Sequence, residues 1–403
     1  MEDKMANKES LDDSTTVFYV GGMSRGLRDD SGSIFSDSLL SGIRRVYSSV
    51  YDLRFIFGGW WPKHGEPLFV HSKKRGMDGI NISFCNFVFF RDFSMSRNFK
   101  RAFRSFVSNH KDLFYRKINV IVTEADNIGF LKISRRIKKI FPLAKVCIIV
   151  PDLPGASYAN KRFRFFFRML KKLQARIVYT LTGKVADSFV FFSSFMEPFY
   201  HRFNKPFIVE QGIAPCQEPS SKAISSSNYT CVYTGKTDDD LSGTALMISA
   251  IHLVKKRYHN TRLLIAGDGT NSRILRGLSS KGEVDFLGRV SFQEAYKLQQ
   301  SAGVLLMLRK NTAIMRYSCP SKIFAYLSTG NPIVCFRLDS FPNDFSDVLI
   351  FPKDESKESV AKSIEYALSL SNEQRKKLRE KSLLLCENRS AINVASRIKQ
   401  LFL

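Results

Sequence analysis

Arg309, Ser321 and Lys322 bound the stretch of this chain best suited to hold an anion. Arg309 follows the apolar run Val304 to Leu308. A guanidinium at the carboxyl end of a strand can fork onto two phosphate oxygens; a structural ion pair is the other use open to it. The run Arg316 to Val334 reads as a turn, a short helix, a glycine stop and a buried strand. Pro320 suits the first helical position. Ile323, Phe324 and Leu327 form an apolar stripe. Gly330 stands where a helix end needs a left-handed residue, and Pro332 forbids continuation. Ser321 and Lys322 open that helix, so amides, a hydroxyl and an amine are offered to a phosphate or a sugar hydroxyl. An exposed helix-start lysine is the plainer reading of Lys322.

Other chemistry-bearing residues are spread along the chain. Gly267-Asp268-Gly269 is a turn that lets backbone approach a ligand. Gly21-Gly22 ends the short strand Thr16 to Val20, as a tight turn or as a phosphate cradle. Asp152 follows the buried run Val146 to Val150, either as a turn cap before Pro154 or as an acid-base group. Asp238-Asp239-Asp240 would repel a phosphate, so these carboxylates are expected to face solvent. The histidines show no metal-ligand spacing, and no P-loop is present, which argues against the NTPase class.

The elements that must position these residues alternate between strand and helix, the signature of parallel α/β sheets. Residues 1–14 read as a disordered lead and 15–214 as a Rossmann-like domain. Its helix is expected over Ser33 to Ser49, and its strands over Leu53 to Phe57, Ile82 to Phe90, Ile118 to Thr123, Val146 to Val150, Ser188 to Phe192 and Phe207 to Glu210. Residues 215–228, Pro- and Ser-rich, read as a linker. A second Rossmann-like domain occupies 229–385, and 386–403 is the closing helical segment.

A 403-residue chain suits two domains, and 44% hydrophobic residues suffice for two cores. The seven scattered cysteines form no CxxC pair and read as reduced and buried. Residues 1 to 14 lack a signal-peptide core, and no apolar stretch approaches the ~20 residues that span a bilayer. The net charge of +25 points to an anionic membrane surface, nucleic acid or phosphorylated substrates. Residues 1–215 hold 35 Lys and Arg against 19 Asp and Glu.

The motif around Lys322 resembles the nucleotide-sugar site of retaining glycosyltransferases of the GT-B fold, family 4, in a bacterial surface-polysaccharide branch. Arg309 and Tyr317 to Pro332 carry the likeness, and it extends to Gly267-Asp268-Gly269 and Phe286 to Val290. The resemblance implies an α/β GT-B fold, two doubly wound Rossmann-like domains facing a cleft. It implies a metal-independent transfer with no cofactor beyond the nucleoside-diphosphate sugar co-substrate. Lys236 would meet the donor diphosphate, although a solvated lysine after a strand is the plainer reading. Arg289 and Val290 would flank the base. Gly21, Gly22, Gly267, Asp268, Arg309, Tyr317, Ser321 and Lys322 would complete the donor site. Asp152, in a Val-Pro-Asp-Leu-Pro string like the branch's own, would be the acceptor base or an oxocarbenium stabiliser. Glu210-Gln211-Gly212-Ile213 resembles a junction motif of structural role. Two departures stand out: the family's ribose-binding glutamate falls on Ala325, and a second basic residue falls on Leu241.

Asn160 to Val178 reads as a helix with Lys161, Arg164, Arg168, Lys171 and Lys172 on one side. Phe163, Phe166, Phe167, Leu170, Leu173 and Ile177 fall on the other. Such a helix suits an anionic bilayer surface. Asn98 to Phe106 repeats the pattern, and Arg135, Arg136, Lys138 and Lys139 form a third basic patch. The expected protein is a cytoplasmic glycosyltransferase, peripheral on the inner face of the cell membrane, acting on a lipid-linked glycan. A catalytically degenerate partner protein and a basic nucleic-acid-binding α/β protein are the alternatives.

Overall fold

The computed structural model describes residues 11–23, 31–56, 69–71, 83–85, 88–153, 165–215, 229–238 and 242–403. The chain divides into two compact units, 1–211 with 391–403, and 212–390.

The first unit runs β1 (Asp12–Met23), α1 (Ser31–Val46), β2 (Tyr47–Ile56), β3 (Phe69–His71), β4 (Ser83–Cys85), α2 (Val88–Asn109), β5 (Lys117–Val122), α3 (Ile128–Ile140), β6 (Lys145–Val150), α4 (Phe165–Val185), β7 (Ser188–Phe191), α5 (Glu197–Tyr200) and β8 (Phe207–Val209). Six of these strands form one parallel sheet in the order β2-β1-β5-β6-β7-β8; β3 and β4 pair antiparallel. The central strands are apolar on both faces, as a sheet covered by helices requires. Asn127 caps α3 by accepting from the amides of Gly129 and Phe130, and Phe130, Ile133 and Ile137 bury its inner face.

The second unit runs β9 (Thr230–Thr234), α6 (Thr244–Val254), β10 (Arg262–Ala266), α7 (Ser272–Ser280), β11 (Asp285–Gly288), α8 (Phe292–Gln300), β12 (Val304–Met307), α9 (Lys322–Leu327), β13 (Ile333–Cys335), α10 (Lys357–Ser369) and α11 (Asn372–Asn388). Its parallel sheet has the order β11-β10-β9-β12-β13, with an apolar core on each face. Capping boxes at Ser291/Glu294 and Ser371/Gln374 start α8 and α11.

Several expectations need correction. Asp12 to Ser14, placed in a disordered lead, belong to β1, whose pairing with β2 reaches that far; residues 1–10 and the linker stretch 216–228 lie outside the described residues. Gly21 and Gly22 do not end the strand. They continue it, opposite Arg54 and Phe55, with no left-handed backbone. The strand expected over Leu53 to Phe57 begins at Tyr47, directly after α1. The apolar run Ile82 to Phe90 is divided: Ser83–Cys85 is a strand and Val88 opens α2. The helix expected over Asn160 to Val178 is α4, and its buried side chains include Val178, Thr182 and Val185; Leu173 and Ile177, on the apolar side read from sequence, are exposed.

Residues 386–403 are not one helix. α11 ends at Asn388, and α12 (Ala391–Gln400) returns to the first unit. There it packs on α1 so closely that a Cβ on Gly42 would lie 2.1 Å from the Ala391 carbonyl oxygen. Arg397 donates a two-pronged bond to the buried carboxylate of Glu210, Nη2 to Oε2 at 2.9 Å with Nε on Oε1. A buried carboxylate stripped of its guanidinium is strongly destabilising. Arg397→Ala should therefore lower unfolding free energy by roughly 2 kcal/mol, and Glu210→Gln in the same chain should recover part of it. Urea titrations of the three forms check this; an unchanged midpoint in Arg397→Ala would refute it.

Candidate functional site

The carboxyl ends of β9, β10 and β11 meet through glycines. Gly235 donates its amide to the Ala266 carbonyl at 2.8 Å, and Gly267 donates to Gly288 at 2.7 Å. All three glycines have positive φ, at 136°, 152° and 65°. A Cβ on Gly267 would fall 1.7 Å from the Gly235 carbonyl oxygen, so the two loops cross with backbone on backbone.

Beyond the glycines the loops are clamped. Thr237 donates its amide to Asp268 O at 3.1 Å, and Asn271 donates to Thr237 O at 3.3 Å. Asp238 Oδ1 accepts the Thr270 amide at 2.7 Å. Asp238 is thus half-buried and bonded to the neighbouring loop, against the expectation that it faces solvent; Asp239, Asp240 and Leu241 lie outside the described residues. Asp268 is exposed. Its Oδ1 accepts from Ser272 Oγ at 2.7 Å and from the Gly269 amide at 2.9 Å. These bonds hold its carboxyl below the usual range, helped by the charges of Arg276 and Arg289.

Lys322 is the centre of the site. Its Nζ lies 4.2 Å from the centroid of the Tyr233 ring, a cation–π distance. A Cβ on Gly235 would sit 1.9 Å from that nitrogen, so the amine occupies the space that glycine leaves. Burial, and then the charge of Arg309, pull the Lys322 amine down to about 7. Burial pushes the Tyr233 phenol well above its usual range, with Arg309 opposing. Tyr233 donates to the Lys236 carbonyl at 2.5 Å, which turns the Lys236 side chain outward, exposed.

α9 is pinned beneath this cluster. Tyr326, one turn after Lys322, accepts the Thr234 amide at 2.9 Å, and Gln299 donates to Thr234 Oγ1 at 2.8 Å. Ile323, Phe324 and Leu327 are buried in the core, and Phe324 closes on the backbone of Gly212. The expectation of an anion site at the start of this helix needs correction. α9 has only six residues, its Ile323 and Phe324 amides are already bonded to the Pro320 and Ser321 carbonyls, and Pro320 precedes the N-cap, Ser321. The cationic group here is the Lys322 amine, not a helix dipole. Gly330 has the predicted left-handed φ, 71°.

The connection from β12 to α9 carries Arg309 and Tyr317, both half-buried, and is latched to the loop after β13. Asn311 donates to Asp339 Oδ1 at 2.7 Å, Arg316 to Asp339 Oδ2 at 3.3 Å, and Ser340 to Ser318 O at 2.9 Å.

Of the sequence-predicted residues, Gly267, Lys322 and Arg309 come together, with Lys236, Asp268, Arg289 and Val290 in the same strand-end loops. Ser321 is exposed beside Lys322, and Ala325 is half-buried on α9. Gly21, Gly22 and Asp152 belong to the first unit. Gly21 and Gly22 are small because the end of β5 presses on them: added Cβ atoms would lie 2.1 Å from Thr123 Oγ1 and 2.4 Å from Glu124 Oε1. Asp152 is exposed just after β6. Lys161 and Arg164 lie outside the described residues, Arg168 and Lys171 fall on α4, and Lys172 is exposed there. Tyr233, Tyr326 and Gln299 were not foreseen as site residues. The i, i+4 spacing of Lys322 and Tyr326 was the available signal.

Among the described residues, no group of three or more His, Cys, Asp or Glu side chains is placed to hold a metal ion, and no helix is long and apolar enough to cross a membrane.

Residues 228–369 match the family model of Glycosyl transferases group 1. No curated protein sequence matches the chain. Among solved structures, the N-terminal domain of Candida albicans trehalose-6-phosphate phosphatase is 14% identical, with 100% of this chain and 98% of that one covered at a TM-score of 0.57. The catalytic domain of starch synthase IV from Arabidopsis thaliana, bound to ADP and acarbose, is 9% identical over 96% and 98%, TM-score 0.58. WaaG, a glycosyltransferase involved in lipopolysaccharide biosynthesis, is 14% identical over 96% and 99%, TM-score 0.53. The fold is GT-B: two parallel-sheet α/β domains with helices on their faces.

A lysine pulled down to about 7 is only part-charged at neutral pH, and an anion binds its protonated form. The unfolded chain holds this proton up to the ordinary lysine value, so the ligand-free protein gains stability as pH rises from about 7 toward that value. Anion affinity should move oppositely, weakening by up to about tenfold per pH unit above neutrality until the bound lysine itself deprotonates. UDP titrations across that range, in wild type and Lys322→Met, check it. A pH slope that survives in Lys322→Met would assign the proton elsewhere.

Proposed function

We propose that the protein is a glycosyltransferase that takes a sugar from a nucleoside-diphosphate donor. The observation that carries this is the pairing of Lys322 and Arg309 over glycine-stitched strand ends, within the segment that matches group 1 glycosyl transferases. When the bond from the sugar's anomeric carbon to the β-phosphate oxygen breaks, the electron pair stays on that oxygen. Protonated Lys322 and Arg309 neutralise the charge that develops there. Arg289 and Val290 flank the base, and Gly267 admits the nucleotide backbone to backbone. Asp152, exposed after β6, takes the proton of the attacking acceptor hydroxyl or stabilises the oxocarbenium-like centre. Transfer is read as retaining and metal-independent, as the family 4 resemblance implies. The acceptor is read as a lipid-linked glycan at the inner face of a bacterial membrane, in surface-polysaccharide synthesis. WaaG, of the same fold, supports that setting by its own role in lipopolysaccharide biosynthesis.

Calorimetric titration with UDP, GDP, ADP and CDP tests the donor site. One nucleotide should saturate it, and Arg309→Ala should weaken binding by roughly 10- to 150-fold, the worth of a charge-assisted hydrogen bond. No binding to any of the four by folded protein would sink this reading.

Ala325 favours a second reading, a degenerate glycosyltransferase that partners an active one, because no carboxylate stands there to hold the donor ribose. Ala325→Glu separates the two. Tighter nucleotide binding and faster sugar transfer identify an enzyme with a weakened ribose contact. A variant that binds nucleotide more tightly yet transfers nothing identifies the partner protein.

A further inference from the structure

The basic helices of the first unit form a layer. α2, α3 and α4 follow one another beside the sheet, α3 in contact with both of its neighbours. Together their sequences hold 15 Lys and Arg against one acid, Asp92. The apolar sides of α2 and α3 turn inward: Phe99, Phe103 and Phe106 of α2 and Phe130, Ile133 and Ile137 of α3 are buried. Arg101, Arg104, Arg135, Lys139, Lys172 and Arg176 are exposed on the opposite sides. α4 adds a feature that the described side chains of the other two lack. Met169, Leu173 and Ile177, at i, i+4 and i+8, are 56%, 54% and 43% exposed, on the same side as Lys172 and Arg176.

We infer that this three-helix layer is the docking face for an anionic lipid bilayer, with the Met169-Leu173-Ile177 row entering the headgroup–acyl boundary and the flanking cations meeting lipid phosphates. The chemistry selects this occupant. A second copy of the layer would bring 15 cations against 15 and repel. A nucleic acid would neutralise the cations but leaves an aliphatic row with nothing to cover it. An interfacial helix needs both, an apolar strip and cations beside it. The sequence already offered three basic patches for such a surface; the structure adds that they lie on three successive helices and that an exposed aliphatic row, Met169 included, accompanies them. The inference shares with the reading above only its membrane setting and makes no use of the donor site.

Co-sedimentation of the full chain with phosphatidylethanolamine vesicles, with and without phosphatidylglycerol, tests it at physiological ionic strength. Wild type should bind only the phosphatidylglycerol vesicles. The variant Arg101→Glu, Arg104→Glu, Arg135→Glu, Lys139→Glu should lose about 100-fold or more in partitioning. Met169→Ser, Leu173→Ser, Ile177→Ser should lose about tenfold or more, and its residual binding should vanish at high salt. All six cations and the three apolar side chains are exposed, so both variants should keep the wild-type circular dichroism and melting temperature. UDP binding on the same samples separates the two readings: a variant that leaves vesicles but still binds UDP bears on this face alone. Equal binding to both vesicle types would overturn the inference. So would failure of folded wild type to bind, or unaltered binding of the serine variant together with displacement by duplex DNA, which would mark the layer as a nucleic-acid surface.

Discussion

The amine of Lys322 lies against the backbone of Gly235 with the Tyr233 ring 4.2 Å away, and this contact constrains the strand ends around it. No side chain fits at 235 while the amine is there. Beside it the Gly267 loop crosses backbone to backbone because 267 carries no side chain: a Cβ there would lie 1.7 Å from the Gly235 carbonyl oxygen, and its φ of 152° excludes most residues. The crossing brings Asp238 to the Thr270 amide and Thr237 to the loop at Asp268, which fixes where α7 starts. On the other side Tyr326 anchors α9 to Thr234, one helical turn from the lysine. The arrangement holds a cation partly desolvated beside Arg309, an unfavourable state that an anion relieves.

The second unit was largely legible in sequence because its signals are local. Strands such as Val304–Met307 are uninterrupted apolar runs, and Gly330 and Pro332 end the short helix α9 by their own chemistry. Arg309, Gly267 and Lys322 were readable as neighbours at the strand ends because each follows or opens an element whose type was clear. The uses of Asp238 and Asp268 were not readable: both carboxylates are taken by loop amides and hydroxyls, some brought near only by the fold. The helix N-terminus was over-read for a related reason. Its length and the bonding of its first amides are set by the turn at Pro320 and Ser321, not by composition.

The first unit was harder. A glycine pair in a strand is locally indistinguishable from a turn, and only the approach of Thr123 and Glu124 explains Gly21 and Gly22. An apolar stripe marked part of α2 as a helix with a buried face, and a like stripe on α4 did not predict which of its side chains are buried. There burial follows Val178, Thr182 and Val185, leaving Leu173 and Ile177 outside. A periodic pattern states that a face exists; which face turns inward is decided by the neighbours it meets.

The return of α12 to the first unit has a consequence for the order of events at the ribosome. Glu210 and Arg397 are 187 residues apart, and everything between Gly212 and Ser390 belongs to the other unit. The sheet of the first unit emerges early, yet its Glu210 carboxylate waits unpaired, and α1 stays uncovered at Gly42, until residues 391–403 have been made. The intervening unit can close on itself in that interval, because its strands are contiguous in sequence. Translation thus imposes a schedule in which a segment made after the second unit completes the first, and a chain stopped before Ala391 would carry one finished unit and one unfinished.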